Sequence, residues 1–130
     1  MAIRVGTDLI EIDRIRLALE RPGFRDRCFT PDEQAYCETR RNPAESYAAR
    51  FCGKEAVGKA LGCGVLFTWK EIEIVGPPKP GVTLSGRTLR FAERVGMRDI
   101  DVSLTHSHTM AAATCVADLD SPRRPAPADG

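Results

Sequence analysis

Three residues of this chain have the greatest chemical reach: Asp8, Glu55 and Lys59. Glu55 and Lys59 lie in "FCGKEAVGKALG", residues 51–62, whose pattern is helical. Phe51, Glu55 and Lys59 are four apart, so they stack along one side of that helix, with Arg50 and Lys54 on an adjacent side. Two readings fit. On a wet surface, Glu55 and Lys59 form an ordinary (i, i+4) ion pair worth about 0.3–0.5 kcal/mol. With a second carboxylate beside Glu55, the same face can hold a hard cation. Mg²⁺ takes one or two carboxylates, several waters and substrate phosphate oxygens, and a lysine one turn further along faces those phosphates. Asp8, in "VGTDLIEIDRI", is the candidate second carboxylate. Two other chemistries are rejected. "GCGV" and "GKE" lack the GxxxxGK[ST] order of a phosphate loop, and these glycines lie inside or after a helix rather than before one. His106 and His108 are two apart, but zinc needs three or four ligands and no cysteine has suitable spacing, so His108 is an ordinary surface histidine.

A strand and a helix must position these groups. "AIRVG" alternates apolar and polar residues as a strand does, which puts Asp8 just past the strand end. Ile12, Ile15 and Leu19 then recur at helical spacing, giving a short helix from near Glu11 that stops before Pro22-Gly23. Thr30, Pro31 and Glu33 form a helix start with a capping box. The longest helical pattern opens near Pro43 and ends at Gly62. Along it, Ala49, Cys52, Ala56, Val57 and Ala60 make a stripe of small apolar residues. Gly53 and Gly58 cost that helix roughly 1 kcal/mol each relative to alanine, which suggests close backbone approach. Ile72–Val75 and "VTL" read as strands around the breaker "PPKPG", and "SGRTLRFAERVG" as a helix ended by Gly96. "DIDVSLTH" and "TMAAATCVADL" read as antiparallel strands joined near "HSH". Helices and strands do not alternate as regular βαβ units. The fold class is therefore α+β, a small antiparallel sheet packed on a long central helix. Residues 1–118 form a single domain, and residues 119–130, ending in "SPRRPAPADG", are expected to be a disordered tail.

Composition narrows the partners. The chain has 130 residues, 42% hydrophobic and 28% charged, enough for one core. A formal net charge of +1 argues against nucleic-acid binding by bulk charge. No stretch approaches the ~18 apolar residues of a membrane span. The start lacks the pattern of a signal peptide. Five cysteines with no CxxC pair fit reduced thiols in a cytoplasmic protein. Arg14, Arg16, Arg21, Arg25 and Arg27 cluster, largely offset by Asp13, Glu20 and Asp26.

"VGTDLIEIDRI", "RFCGKEAVGKALG" and "VSLTHSHTMAAA", in this order and spacing, resemble holo-acyl-carrier-protein synthase, the small type of 4′-phosphopantetheinyl transferase. "FTPDE" and "KPGVTLSG" resemble further family segments, and the match runs from about Ile3 to Ala117. The resemblance implies the 4′-phosphopantetheinyl transferase fold and a Mg²⁺-dependent enzyme. It would move the phosphopantetheine arm of coenzyme A onto a serine of an apo-acyl carrier protein and release adenosine 3′,5′-bisphosphate. That activity belongs to lipid metabolism, including fatty acid biosynthesis. The serine comes from the partner, which accounts for the absence of a nucleophile motif such as GxSxG. The family's metal ligands fall on Asp8 and Glu55, its diphosphate-linked lysine on Lys59 and its coenzyme A histidine on His106. Glu55, or a water near it, is the candidate base. Arg50 is the better candidate than Lys54 for coenzyme A phosphates, either being otherwise solvated. Lys79-Pro80 resembles the loop near the adenosine, with a plain turn as the other reading. Arg14 and Arg21 are the docking candidates for an acidic carrier protein. The family is a homotrimer with sites between subunits. Cys52 and Gly53 stand where the family commonly has alanines. The competing class is a non-catalytic module binding coenzyme A or an acidic partner, which would not need Asp8 with Glu55 and Lys59.

Overall fold

A computed structural model describes residues 2–63 and 68–120. Most of the expected disordered tail, from residue 121 on, lies outside these. The chain opens with strand β1 (Ala2–Glu11), followed by helices α1 (Ile12–Ala18), α2 (Phe24–Cys28), α3 (Pro31–Glu38) and α4 (Pro43–Leu61). A 3-10 turn (Trp69–Glu71) leads into β2 (Ile72–Val75), β3 (Gly81–Leu84), α5 (Gly86–Arg94), β4 (Met97–His106) and β5 (Met110–Leu119). The main sheet is antiparallel in the order β1-β5-β4, and β2 and β3 form a separate antiparallel pair.

The expected α+β layout holds, with three differences. β1 runs on through Glu11, so Asp8 lies within the strand opposite Ala113, not beyond its end. Pairing with the full length of β5 extends it past the alternating "AIRVG" stretch. The five-residue α2 was not expected; a single turn is too short to display a helical period. β5 reaches Leu119, one residue past the expected domain end.

Helix α4 lies across one face of the main sheet, and the sequence explains how closely. Ala49, Cys52, Ala56, Val57 and Ala60 are all buried, and so are Ala111, Ala113, Cys115 and Ala117 of β5. Small side chains on both surfaces let backbone approach backbone. Gly53 makes room for side chains instead: a methyl there would sit 3.1 Å from Ile74 Cδ1 and from Leu104 Cδ2. The helix begins at Pro43 and closes on Gly62, whose positive φ of 83° suits glycine. The opposite face of the sheet is uncovered, with Ile3, Val5, Leu9 and Val116 exposed alongside Thr7 and Thr114. All five cysteines are free and buried. Burial pushes the Cys37, Cys52 and Cys115 thiols up to about 12, so none is a nucleophile at neutral pH.

Lys54 corrects a sequence expectation. It neither reaches toward a phosphate nor meets solvent: its side chain is 0% exposed, as is that of Glu33, and their charged atoms are 2.7 Å apart. The Thr30/Glu33 capping box forms as expected. Glu33 therefore serves as helix cap and as buried counterion at once.

Helix α5 is capped from outside its own sequence. Ser85 makes no side-chain cap; the Glu71 carboxylate accepts instead from the Thr88 amide at 3.1 Å, the Thr88 hydroxyl at 2.8 Å and the Arg87 amide at 3.3 Å. Slight burial raises the Glu71 carboxyl, but these bonds outweigh it and hold the group below its ordinary range. A depressed folded value means stability that is present above the unfolded value of about 4.3 and lost as pH falls through the folded one. Glu71→Gln should cost about 1 kcal/mol, a typical lost cap, at pH 7. The difference in Tm from wild type should narrow when melting is followed down through pH 4 and below.

Candidate active site

Strand β1 and helix α4 bring Asp8, Glu55 and Lys59 together. Lys59 Nζ donates to the Thr7 carbonyl at 2.9 Å and meets Asp8 Oδ1 at 3.3 Å. The Lys59 side chain is half exposed and that of Asp8 mostly covered. Lys59 thus pairs across to the strand rather than back to Glu55, so the bland (i, i+4) reading does not describe it. Glu55 is pushed above the usual carboxylate range, first by burial and then by the nearby Asp8 carboxylate; Lys59 and Arg14 pull the other way.

Two carboxylates this near one another repel unless a proton or a cation offsets their charge. Their oxygens are the donors a hard cation prefers, and the amine beside them suits phosphate. Among the described residues no group of three or more His, Cys, Asp or Glu forms a metal cluster. A two-carboxylate Mg²⁺ site completed by water and substrate phosphate needs no such cluster. The residues present fit Mg²⁺.

A second cluster lies on the other side of α4. A cavity of about 420 Å³ is lined by Tyr36, Arg40, Arg41, Arg50, Pro77, Pro80, His106 and neighbours. Arg50 is buried, stacks 4.2 Å from the centre of the Tyr36 ring and donates from Nη2 to the Gly76 carbonyl at 3.1 Å. Its Nε is buried without a hydrogen-bond partner, and among the described residues no carboxylate pairs with it. A buried, uncompensated guanidinium beside two more arginines makes this a site for an anion. His106 is half exposed on this wall, 3.9 Å from Glu45. Lys79 does not line the cavity. Its Nζ is held at 2.6 Å by Asp101 and at 3.2 Å by the Val102 carbonyl, so it ties the Pro77–Pro80 loop to β4. Arg40 and Arg41 were not singled out in the sequence; two adjacent arginines before a helix start were the available signal.

A third feature is a groove of about 380 Å³ lined by Ile10, Ile15, Leu17, Phe24 and Phe51, with Arg14 and Arg21 at its margin. Arg21 lies over the Phe24 ring at 5.7 Å. Both arginines are exposed, and Arg14 is close enough to act on Glu55.

The chain that carries these residues matches a known family. A model of the 4′-phosphopantetheinyl transferase superfamily matches residues 4–117. The chain belongs to that superfamily. Among its curated relatives, holo-[acyl-carrier-protein] synthases are 44% identical in Ruminiclostridium cellulolyticum, over 92% of this chain and 94% of that one, and 46% identical in Chlamydia felis, over 87% and 94%. Membership places this chain with enzymes. Among solved structures, a "Chronobacterium ammoniagenes ACPS-CoA complex" superposes with a TM-score of 0.83 at 27% identity, over 93% of this chain and all of that one. The holo-[acyl-carrier-protein] synthase of Neisseria meningitidis gives 0.79 at 27% identity, over 88% and 97%. No helix among the described residues is long and apolar enough to cross a membrane.

Proposed function

We propose that this protein transfers the 4′-phosphopantetheine group of coenzyme A to a serine of an apo-acyl carrier protein, releasing adenosine 3′,5′-bisphosphate, with Mg²⁺ held by Asp8 and Glu55. The observation that carries this reading is the placement of the Asp8 and Glu55 carboxylates near one another and beside Lys59, within a chain whose relatives are holo-[acyl-carrier-protein] synthases. A non-catalytic binding module has no use for a repelling carboxylate pair.

Asp8 and Glu55 would hold the Mg²⁺, which would supply neutralisation of the diphosphate charge and polarisation of the phosphorus under attack. The serine oxygen bonds to the β-phosphorus while the bond to the bridging oxygen of adenosine 3′,5′-bisphosphate breaks. Glu55, raised by burial and by Asp8, is placed to accept the serine proton. Lys59, half exposed beside Asp8, offsets charge on the departing oxygen. The cavity at Arg50, Pro80 and His106 takes the phosphorylated adenosine end. Lys79 serves there by fixing the loop that carries Pro80. Arg14 and Arg21 dock the acidic carrier protein beside the apolar groove.

The two clusters belong to opposite edge strands of the main sheet, Asp8 to β1 and His106 to β4. A single coenzyme A meets both sets when a second subunit lends its own. The exposed Ile3, Val5, Leu9 and Val116 give the sheet apolar side chains for such assembly, a homotrimer in this reading. The deciding experiment is mass spectrometry of apo-acyl carrier protein incubated with coenzyme A, Mg²⁺ and this protein. The carrier should gain one phosphopantetheine, and adenosine 3′,5′-bisphosphate should appear in equal amount. No added mass would leave only the binding-module reading. Raising salt should weaken carrier-protein capture more than coenzyme A binding. Equal salt dependence would remove Arg14 and Arg21 from the docking role.

A further inference from the structure

We propose that the buried Glu33–Lys54 pair is a positioning device that sets the β2 wall of the arginine-lined cavity against Arg50. This rests on the reading of that cavity as the nucleotide site. Neither charged group lines the cavity. Both side chains are 0% exposed, so no ligand reaches them.

Their hydrogen bonds show what they hold. Glu33 Oε1 accepts from Lys54 Nζ at 2.7 Å and from the Thr30 amide at 2.9 Å, and Oε2 accepts from the Ile74 amide at 2.7 Å. Lys54 Nζ also donates to the Ile72 carbonyl at 2.6 Å and the Trp69 carbonyl at 3.0 Å. Strand β2 is thus gripped twice from behind, at the Ile72 carbonyl by the lysine and at the Ile74 amide by the glutamate. Two residues further on, the Gly76 carbonyl accepts from Arg50, and Gly76 to Pro78 form a wall of the cavity. Beside that wall, Glu33, Val75, Gly76 and Arg50 line a cleft of about 190 Å³, so packing alone does not fill the space behind it. The pair fixes the backbone that carries the wall.

Stability alone does not explain the pair. A buried ion pair gives little net stability over a well-packed apolar replacement, because desolvation offsets the attraction. Here burial pulls Lys54 down from its ordinary range, with Glu33 opposing. What apolar side chains cannot reproduce is the simultaneous hold on an amide and a carbonyl of one strand.

The test measures binding of adenosine 3′,5′-bisphosphate by calorimetry, and kcat at saturating coenzyme A. Glu33→Gln leaves one donor of the cluster facing another. Lys54→Met/Glu33→Gln removes both charges and keeps an acceptor for Ile74. Whichever variant retains a native near-ultraviolet spectrum decides. Its Kd should rise about tenfold, the scale of couplings carried through packed networks, while kcat stays within about threefold of wild type. In an Arg50→Ala background the same change should move Kd by less than about twofold, since the wall then has nothing to align. An unchanged Kd, or an equal loss in both backgrounds, overturns the positioning role while leaving the nucleotide site intact. Absence of nucleotide binding by the wild-type protein overturns the cavity reading, and this proposal with it.

Discussion

Asp8→Ala and Glu55→Ala should each lower phosphopantetheine transfer by roughly 10³-fold, the several kcal/mol that metal-assisted charge neutralisation supplies at 1.36 kcal/mol per decade. Calorimetry should show the cause directly, as Mg²⁺ binding lost in both variants. Melting temperature supplies an independent check with the opposite sign. Without a cation the Asp8 and Glu55 carboxylates oppose each other, so the metal-free Asp8→Ala protein should melt no lower than wild type. Added Mg²⁺ should then raise Tm in wild type alone, because only the intact pair binds it. Near-normal transfer by either variant would refute the metal assignment. The Asp8→Ala protein also tests the placement of the two clusters. If β1 of one subunit works with β4 of another, equal mixing with Arg50→Ala protein after subunit exchange should restore activity, up to about a quarter of wild type in randomly assorted oligomers. A site contained within one protomer would restore none.

The elements that position this chemistry were largely legible because their signals are local. Proline at the start and glycine at the end bracket α4, and the Thr30–Glu33 capping box reads directly from residue types three apart. Asp8 was misplaced because the alternation that marks β1 stops short of its end; β5, not local sequence, carries the strand to Glu11. The approach of Asp8 to Glu55 is not local either. Periodicity put Glu55 and Lys59 on one helix face and Asp8 was a candidate second carboxylate beside them, but the ordered family motifs were needed to choose that reading over an ordinary ion pair. Lys54 shows the same limit from the other side. A lysine in a helical run reads as solvated, and its burial follows from a counterion on α3 and two carbonyls near β2 that no spacing rule connects. Arg50, on the same helix side, was read as a phosphate contact, and it does line a cavity rich in arginine.

Gly6 joins the fold to the site most tightly. A methyl group there would fall inside van der Waals range of the Ala56 carbonyl oxygen and 2.7 Å from the Ala60 amide nitrogen. Both obstacles are backbone of α4, so no side chain can swing aside. Gly6→Ala must therefore push the helix off the sheet or bend the strand. Overpacking of a close-packed interior typically costs 1–3 kcal/mol, and a rigid backbone obstacle puts this substitution at the upper end, about 3 kcal/mol, in denaturant unfolding. The same displacement separates the partners of the site, since Gly6 precedes Asp8 by two residues on β1, while Ala56 and Ala60 flank Lys59 on α4 and Ala56 adjoins Glu55. Gly6→Ala should thus weaken Mg²⁺ binding even at temperatures where the variant is fully folded. Ala56→Gly, which deepens the same contact without crowding it, should lose only about 1 kcal/mol of helix stability and keep its metal affinity. Full Mg²⁺ affinity in a folded Gly6→Ala protein would mean that the spacing between β1 and α4 does not govern the carboxylate pair.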